Sequence, residues 1–365
     1  MSRFIKTNRI KKSRKLWRER LHRLGRRLAS RWIRWPAAVL LALFLISTAT
    51  AVLNPVLFPP IKNYNFGVSF SKERSEQLGL DWRANYLALL DDLKIRRFRL
   101  MSYWSSHEPV RGQMDFSDLD WMMDQAAARG AQVSLAIGLR QPRWPECFQP
   151  AWAANLSGNA WKQALYAYIE AVVKRYEKHP ALQSWQLENE AVNNWFGVCP
   201  PPDRQRLVEE FNLVRGISKK PIWMSLSDQH GLPLGQPVPD AYGFSIYRVV
   251  YNDKLIPGYT WYPTPLWYHR LRAVLIKLLH PKAKLFVHEL QLEPWGPVDV
   301  SRLSAAEQNR TMSYDQIHFN TTFARQVGFQ DIYAWGGEWW YWRKVKSGDN
   351  AVWEAVRREI EASRN

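Results

Sequence analysis

Trp185-Gln186-Leu187-Glu188-Asn189-Glu190 is a short apolar strand that finishes on an Asn-Glu pair. Further along, Lys284-Leu285-Phe286-Val287-His288-Glu289 repeats the form, an apolar strand closing on a carboxylate. Around these two lie six more short apolar segments, at 65–70, 97–102, 132–138, 221–226, 242–247 and 331–335, with 182–187 and 285–288 as the fourth and seventh of the set. Amphipathic segments at 82–93, 117–128, 160–177, 204–214, 265–279, 305–327 and 352–362 alternate with them. Alternation of this kind predicts an α/β fold with a parallel sheet and crossover helices. Eight strands spread over residues 62–365 predict a (β/α)8 TIM barrel. The connection at 231–240, between the fifth and sixth strands, is short and Pro-rich, so no helix is expected there.

Two glutamates at strand ends of one barrel carry a chemical expectation. Glycoside hydrolysis uses two carboxyl groups across one bond, and in the retaining form they stand about 5–5.5 Å apart. A barrel can hold side chains from different strand ends at that spacing. Either glutamate alone is equally a surface carboxylate; the pair is what points to the chemistry.

The chain of 365 residues is 46% apolar, enough to bury a large core. Its net charge of +18 suggests nucleic acid until it is located. Residues 1–35 hold 14 Lys and Arg against the single acid Glu19, so the charge is mostly a property of that arm. No charged residue occurs from Trp35 to Ile61, and residues 36–54 suit a transmembrane helix of about 20 residues. Positive charge beside an apolar span predicts a cytoplasmic arm (1–35), a single-pass anchor (36–54) and an extracytoplasmic domain (62–365) after a Pro-rich spacer (55–61). A cleaved signal peptide competes, because Ala49-Thr50-Ala51 is a small-x-small site. No nucleic-acid partner is expected. Twenty Trp against 15 Tyr and 15 Phe is an unusual excess of the flat rings that sugar clefts use.

The string Trp104-x-x-x-Glu108-Pro109-x-x-Gly112-Gln113-x-Asp115-Phe116-x-x-Leu119-Asp120 resembles the segment after the second strand of the clan A glycoside hydrolases, the retaining (β/α)8 enzymes that include cellulases, mannanases and β-galactosidases. The Asn-Glu pair and the later strand-end Glu are similar to that clan's acid/base and nucleophile positions, over roughly residues 64–342. The family 5 cellulase-like group is the nearest in appearance, and no single family is assigned. The resemblance implies Glu190 as general acid/base, Glu289 as nucleophile, Asn189 on the sugar 2-hydroxyl, Arg99 keeping the nucleophile ionised, Tyr247 hydrogen-bonded to it, and Trp335 as platform under the sugar. Trp104 joins the substrate-binding set.

A histidine common after the clan's third strand is replaced here by Arg140-Gln141-Pro142-Arg143; Arg140 facing the cleft would favour an anionic substrate, and the equal alternative is a structural partner to a loop acid. Glu293, in front of Pro294, is the rival to Glu289. Glu188 shares strand parity with Glu190, so a bulge is needed to separate their roles, or else Glu188 is a buried partner of Arg97 or Arg99. Glu338 is a candidate for a sugar hydroxyl. Residues 259–268 lead into a Leu-rich basic helix that is expected on the barrel wall, with a membrane contact as the alternative. Cys147 and Cys199 follow neighbouring strands, and a disulfide between them fits an extracytoplasmic domain. No metal-ligand spacing, phosphate-cradling loop or Gly-x-Ser-x-Gly elbow occurs, so no metal or cofactor is expected. The expectation is a monomeric retaining glycosidase acting on an oligo- or polysaccharide. The alternatives are transglycosylation by the same two glutamates and a catalytically silent glycan-binding barrel.

Overall fold

The computed structural model describes residues 34–42, 44–45, 56, 59–226, 230–253, 257–262 and 264–364. The chain divides into two compact units, Met1–Leu57 and Phe58–Asn365. In the first, 34–42 and 44–45 are helical, and most of the expected membrane span at 36–54, like almost all of the basic arm, lies outside the described residues. Among the described residues no helix is long and apolar enough to cross a membrane.

Among the described residues the second unit contains ten strands: β1 (Asn65–Phe70), β2 (Arg97–Met101), β3 (Gln132–Ile137), β4 (Leu182–Leu187), β5 (Ile222–Ser225), β6 (Ala241–Ile246), β7 (Val249–Asn252), β8 (Gly258–Trp261), β9 (Lys284–Gln291) and β10 (Asp331–Trp335). Eight of them close a barrel in the order β1-β10-β9-β6-β5-β4-β3-β2. All its pairings are parallel. The barrel strands are buried along nearly their whole length, as expected where helices cover the outside and side chains fill the inside. Toward the strand starts the lumen is filled by Trp223, Phe286 and Tyr333, whose rings pack at 4.7–6.2 Å.

Three features depart from the pattern expected. The segment at 305–327 forms two helices, Ala305–Asn309 and Tyr314–Val327, because Ser304 and Ser313 each accept a hydrogen bond from a backbone N–H three residues on and so start separate helices. A helix also occupies Gly337–Lys346, directly after β10. The strands β7 and β8 make an antiparallel hairpin between the sixth and seventh barrel strands, where 259–268 had suggested only an approach to a helix. Helix Leu266–Leu279 follows it, and no helix lies among the described residues of 230–240.

Candidate active site

β9 runs past its apolar section. Val287 pairs with Phe244 of β6 while Glu289 pairs with the next residue, Ser245, so His288 is an extra residue in the strand. Against β10 the register slips at the same place, with Val287 opposite Ile332 and Leu290 opposite Ala334. This bulge sets the direction of Glu289. Nη2 of Arg99 donates to its Oε1 at 2.9 Å and the Tyr247 hydroxyl donates to its Oε2 at 2.9 Å. Arg99 is fixed in turn by Nε donating to the Ser69 hydroxyl at 2.8 Å. Burial works against the charged carboxylate, but the Arg99 charge and the bonds from Arg99 and Tyr247 outweigh it and hold Glu289 below the usual carboxylate range.

Glu190 is reached by a different device. β4 stops at Leu187, and Glu188 and Glu190 both take left-handed backbone angles, φ 49° and 47°. Non-glycine residues pay strain for that conformation, and the twist, rather than a bulge, cancels the strand parity that Glu188 and Glu190 would have shared. The Glu190 N–H donates to the Ser225 hydroxyl at 2.7 Å, while its Oε1 accepts from Ser245 at 3.0 Å and its Oε2 from Asn193 at 2.7 Å. Burial, then the nearby Glu289 and Glu146 charges, push its carboxyl well above the usual range. An oxygen of Glu190 lies within 4.8 Å of one of Glu289. One carboxyl is thus held ionised and its neighbour protonated, the division of roles that acid/base and nucleophile need.

Asn189 reaches the Arg99 that holds Glu289. Its Oδ1 lies at the edge of hydrogen-bond range, 3.4 Å, from both Arg99 Nη1 and Gln186 Nε2, and its Nδ2 donates to Glu146 Oε2 at 3.2 Å. Glu146, which is buried, is a third carboxyl in the centre, not singled out by the sequence. Burial raises it to about 8, opposed by Arg140 and reinforced by Glu289. Gly197 must lack a side chain here, since a Cβ on it would meet Glu146 Cβ at 2.8 Å.

Trp335, at the end of β10, faces the same centre. Its indole N–H donates to Glu293 at 2.8 Å, and the Arg143 guanidinium lies 4.1 Å from its ring centroid. Arg143 also bridges Glu293 at 2.5 Å and Glu338 at 2.6 Å, so the loop after β3 is tied to the loop after β9 and to the helix after β10 beside the platform. Glu293, the rival nucleophile, is committed to Arg143 and Trp335 rather than to the pair around Glu190.

Several expected positions fall elsewhere. Trp104 is fully buried; its indole N–H donates to Glu108 at 2.7 Å and its ring packs against Trp152, Trp161 and Tyr168, so it supports the loop from inside and cannot touch substrate. Arg140 is buried and donates to the carbonyls of Asn193 and Phe196 at 3.0 and 2.8 Å, bracing the loop after β4 instead of facing the cleft. Glu338 is completely buried, accepting from the Ser71 N–H at 2.6 Å as well as from Arg143, which leaves no rim carboxylate for a sugar hydroxyl. Glu188 is buried, but its partner is Arg206 at 2.9 and 3.2 Å, not Arg97 or Arg99. Gly138 permits its approach, because a Cβ there, at φ 100°, would meet Glu188 Cγ at 2.7 Å.

Cys147 and Cys199 are joined in a disulfide between the loops after β3 and β4. Among the described residues, Glu190, His288 and Glu289 present ligand atoms that could converge on a cation. The Arg99 guanidinium already meets the Glu289 charge at 2.9 Å, so that carboxylate has its cation within the protein.

Residues 81–205 match the family model described as β-galactosidase. A β-galactosidase, BgaA, from Clostridium cellulovorans is 23% identical over 156 residues, which are 36% of this chain and 23% of that protein. A β-galactosidase of an Arthrobacter species is 31% identical over 113 residues, 25% of this chain and 16% of its own length. The chain therefore spans less than a quarter of these curated relatives. Among solved structures, GH5_18 from Streptomyces cattleya in complex with GlcNAc superposes with a TM-score of 0.53 at 16% identity, covering 82% of this chain and 80% of that one. The chain is similar to the clan A glycoside hydrolases in sequence motif and in barrel fold, and the matches single out no family within the clan.

Proposed function

We propose that the chain is a retaining glycoside hydrolase that cleaves a β-linked glycan by double displacement. The observation that carries this reading is the Glu190–Glu289 pair, a half-buried and a buried carboxyl with oxygens within 4.8 Å, the second stabilised as the anion by Arg99 and Tyr247 and the first pushed toward its protonated form. Oxygens this near favour the retaining arrangement, with carboxyls about 5–5.5 Å apart, over the inverting one, with separations of about 6.5–9.5 Å.

In the first step a Glu289 oxygen forms a bond to the anomeric carbon as the glycosidic C–O bond breaks. Glu190 gives its proton to the departing oxygen. In the second, Glu190, now ionised, takes a proton from water, whose oxygen attacks the anomeric carbon and releases Glu289. Each carboxyl ends as it began. An acceptor sugar hydroxyl in place of water gives transglycosylation by the same route.

Release of p-nitrophenol from a panel of aryl β-glycosides by the full chain tests the reading, with β-galactosides and N-acetylglucosaminides chosen from the names of the similar proteins. Turnover that collapses in Glu289→Ala and returns with azide as the glycosyl azide supports it. Turnover that survives Glu289→Ala sinks it. Binding of intact polysaccharide without shortening, and silence on the panel, would instead favour a glycan-binding barrel.

The reading places this domain outside the cytoplasm, tethered by residues 36–54. Its support is the charge-free run beside the basic arm, together with the exposure of Val39, Leu40 and Leu41. Resistance of the full chain to alkaline carbonate extraction from membranes is the expected result; complete release would rule the tether out.

A further inference from the structure

Four aromatic rings form a path from the catalytic centre to the surface. Tyr247, which donates to Glu289, meets Trp295 edge-on at 5.6 Å; Trp295 meets Phe196 at 5.9 Å; Phe196 meets Trp144 at 5.7 Å. The outer three are unusually open for such large rings, 37%, 38% and 60% exposed. They come from three different loops, after β9, β4 and β3. Exposed aromatic rings gathered from separate loops at a cleft mouth are a surface that a second group is needed to cover.

Chemistry says which group. The leaving oxygen is the one Glu190 protonates, so the departing part of the substrate lies on the Glu190 side. Phe196 is on the loop that carries Glu190, and Asn193 of that loop donates to Glu190 Oε2 at 2.7 Å. On the Trp335 side the Arg143 guanidinium, bridging Glu293 and Glu338, lies 4.1 Å from the indole ring centroid. Arg143 and Trp144 are adjacent, so one loop closes the Trp335 flank and offers a ring to the other. Two fixed ties hold the loop in that posture: the Cys147–Cys199 disulfide, and the Val198 N–H donating to the Pro145 carbonyl at 2.9 Å.

We propose that Trp144, Phe196 and Trp295 form a leaving-group subsite that stacks the first sugar ring beyond the bond to be cleaved. The ligand class is a neutral pyranose, whose C–H faces suit aromatic rings. This rests on the hydrolase reading above and gives it a direction: glycan extends over the aromatic rim, away from Trp335. The same surface would receive the acceptor in transglycosylation.

The test compares, for the full chain, a β-linked disaccharide with the β-glycosyl fluoride of the same sugar, which has no ring beyond the scissile bond. Trp144→Ala is expected to lower the ratio of kcat/KM for disaccharide over fluoride by about tenfold, and Trp144→Phe to restore most of it. A ratio within twofold of the parent in Trp144→Ala, with unaltered thermal unfolding, overturns the subsite. If the parent turns over neither compound, the hydrolase reading fails by itself, and calorimetric titration with the disaccharide decides the rim. Tenfold weaker binding by Trp144→Ala then supports it; equal affinity, or no binding by the parent, overturns it.

Discussion

Nη2 of Arg99 lies 2.9 Å from Oε1 of Glu289, and both side chains are buried. The pair couples two barrel strands that are not neighbours, β2 and β9. Its consequence is electrostatic, since Arg99 is the largest influence opposing the desolvation of Glu289. Arg99→Met is expected to lower kcat/KM by about 10²- to 10³-fold, the size typical for loss of one preorganised charge contact. Because Arg99 lowers the Glu289 pKa, its removal raises it, and the acidic limb of kcat/KM shifts to higher pH. A pH–rate profile of the variant checks both.

Glu146 carries a stability signature. Burial raises its pKa from 4.5 to about 8, so the folded protein holds a proton there that the unfolded chain has released. Stability from this group is fully present below about pH 4.5 and is lost as pH rises toward 8. In Glu146→Gln that loss disappears. Denaturant unfolding at pH 5 and at pH 8 should show a smaller difference between the two for the variant than for the parent.

Arg206 is the counter-charge for two buried carboxyls, Glu188 at 2.9 Å and Glu210 at 3.1 Å. Arg206→Met leaves both without their cation, and breaking a buried pair in this way costs about 3–5 kcal/mol. Thermal unfolding is the measurement. A Tm within a degree or two of the parent would mean that the carboxyls take up protons at little cost.

The disulfide spans 52 residues of chain. A loop of that length is worth up to about 4 kcal/mol through the unfolded chain alone. Cys147→Ser/Cys199→Ser should unfold at a lower denaturant concentration than the oxidised parent, and dithiothreitol should bring the parent down toward the variant.

How much of this was legible beforehand depended on the kind of signal. Strands announced themselves as apolar runs between polar segments, and β1, β4 and β10 end where that pattern ends. Glu190, Asn189 and Glu289 were legible because a polar group at the end of an apolar strand stands out against its surroundings. Glu146 and Arg143 were not, because they sit in an irregular loop at φ 74° and 87°, where no periodicity reports which way a side chain points. Trp104 and Arg140 misled for a related reason: a tryptophan or an arginine can stack on a sugar or support a loop from beneath. Here, the indole bonded to Glu108 and the guanidinium bonded to two backbone carbonyls decide for support. The split of 305–327 turned on Ser313, a single cap inside an otherwise helix-favouring stretch.

The extra residue in β9 gives the centre a dependence on counting. Side chains in a strand alternate faces, so a one-residue insertion or deletion in β9 that leaves the bulge in place would turn the carboxylate from the lumen toward the surrounding helices. Every group in the centre would still be encoded, and substitution scans, which preserve chain length, would pass over this vulnerability. Relatives aligned through this strand should therefore be compared by its length as closely as by its letters.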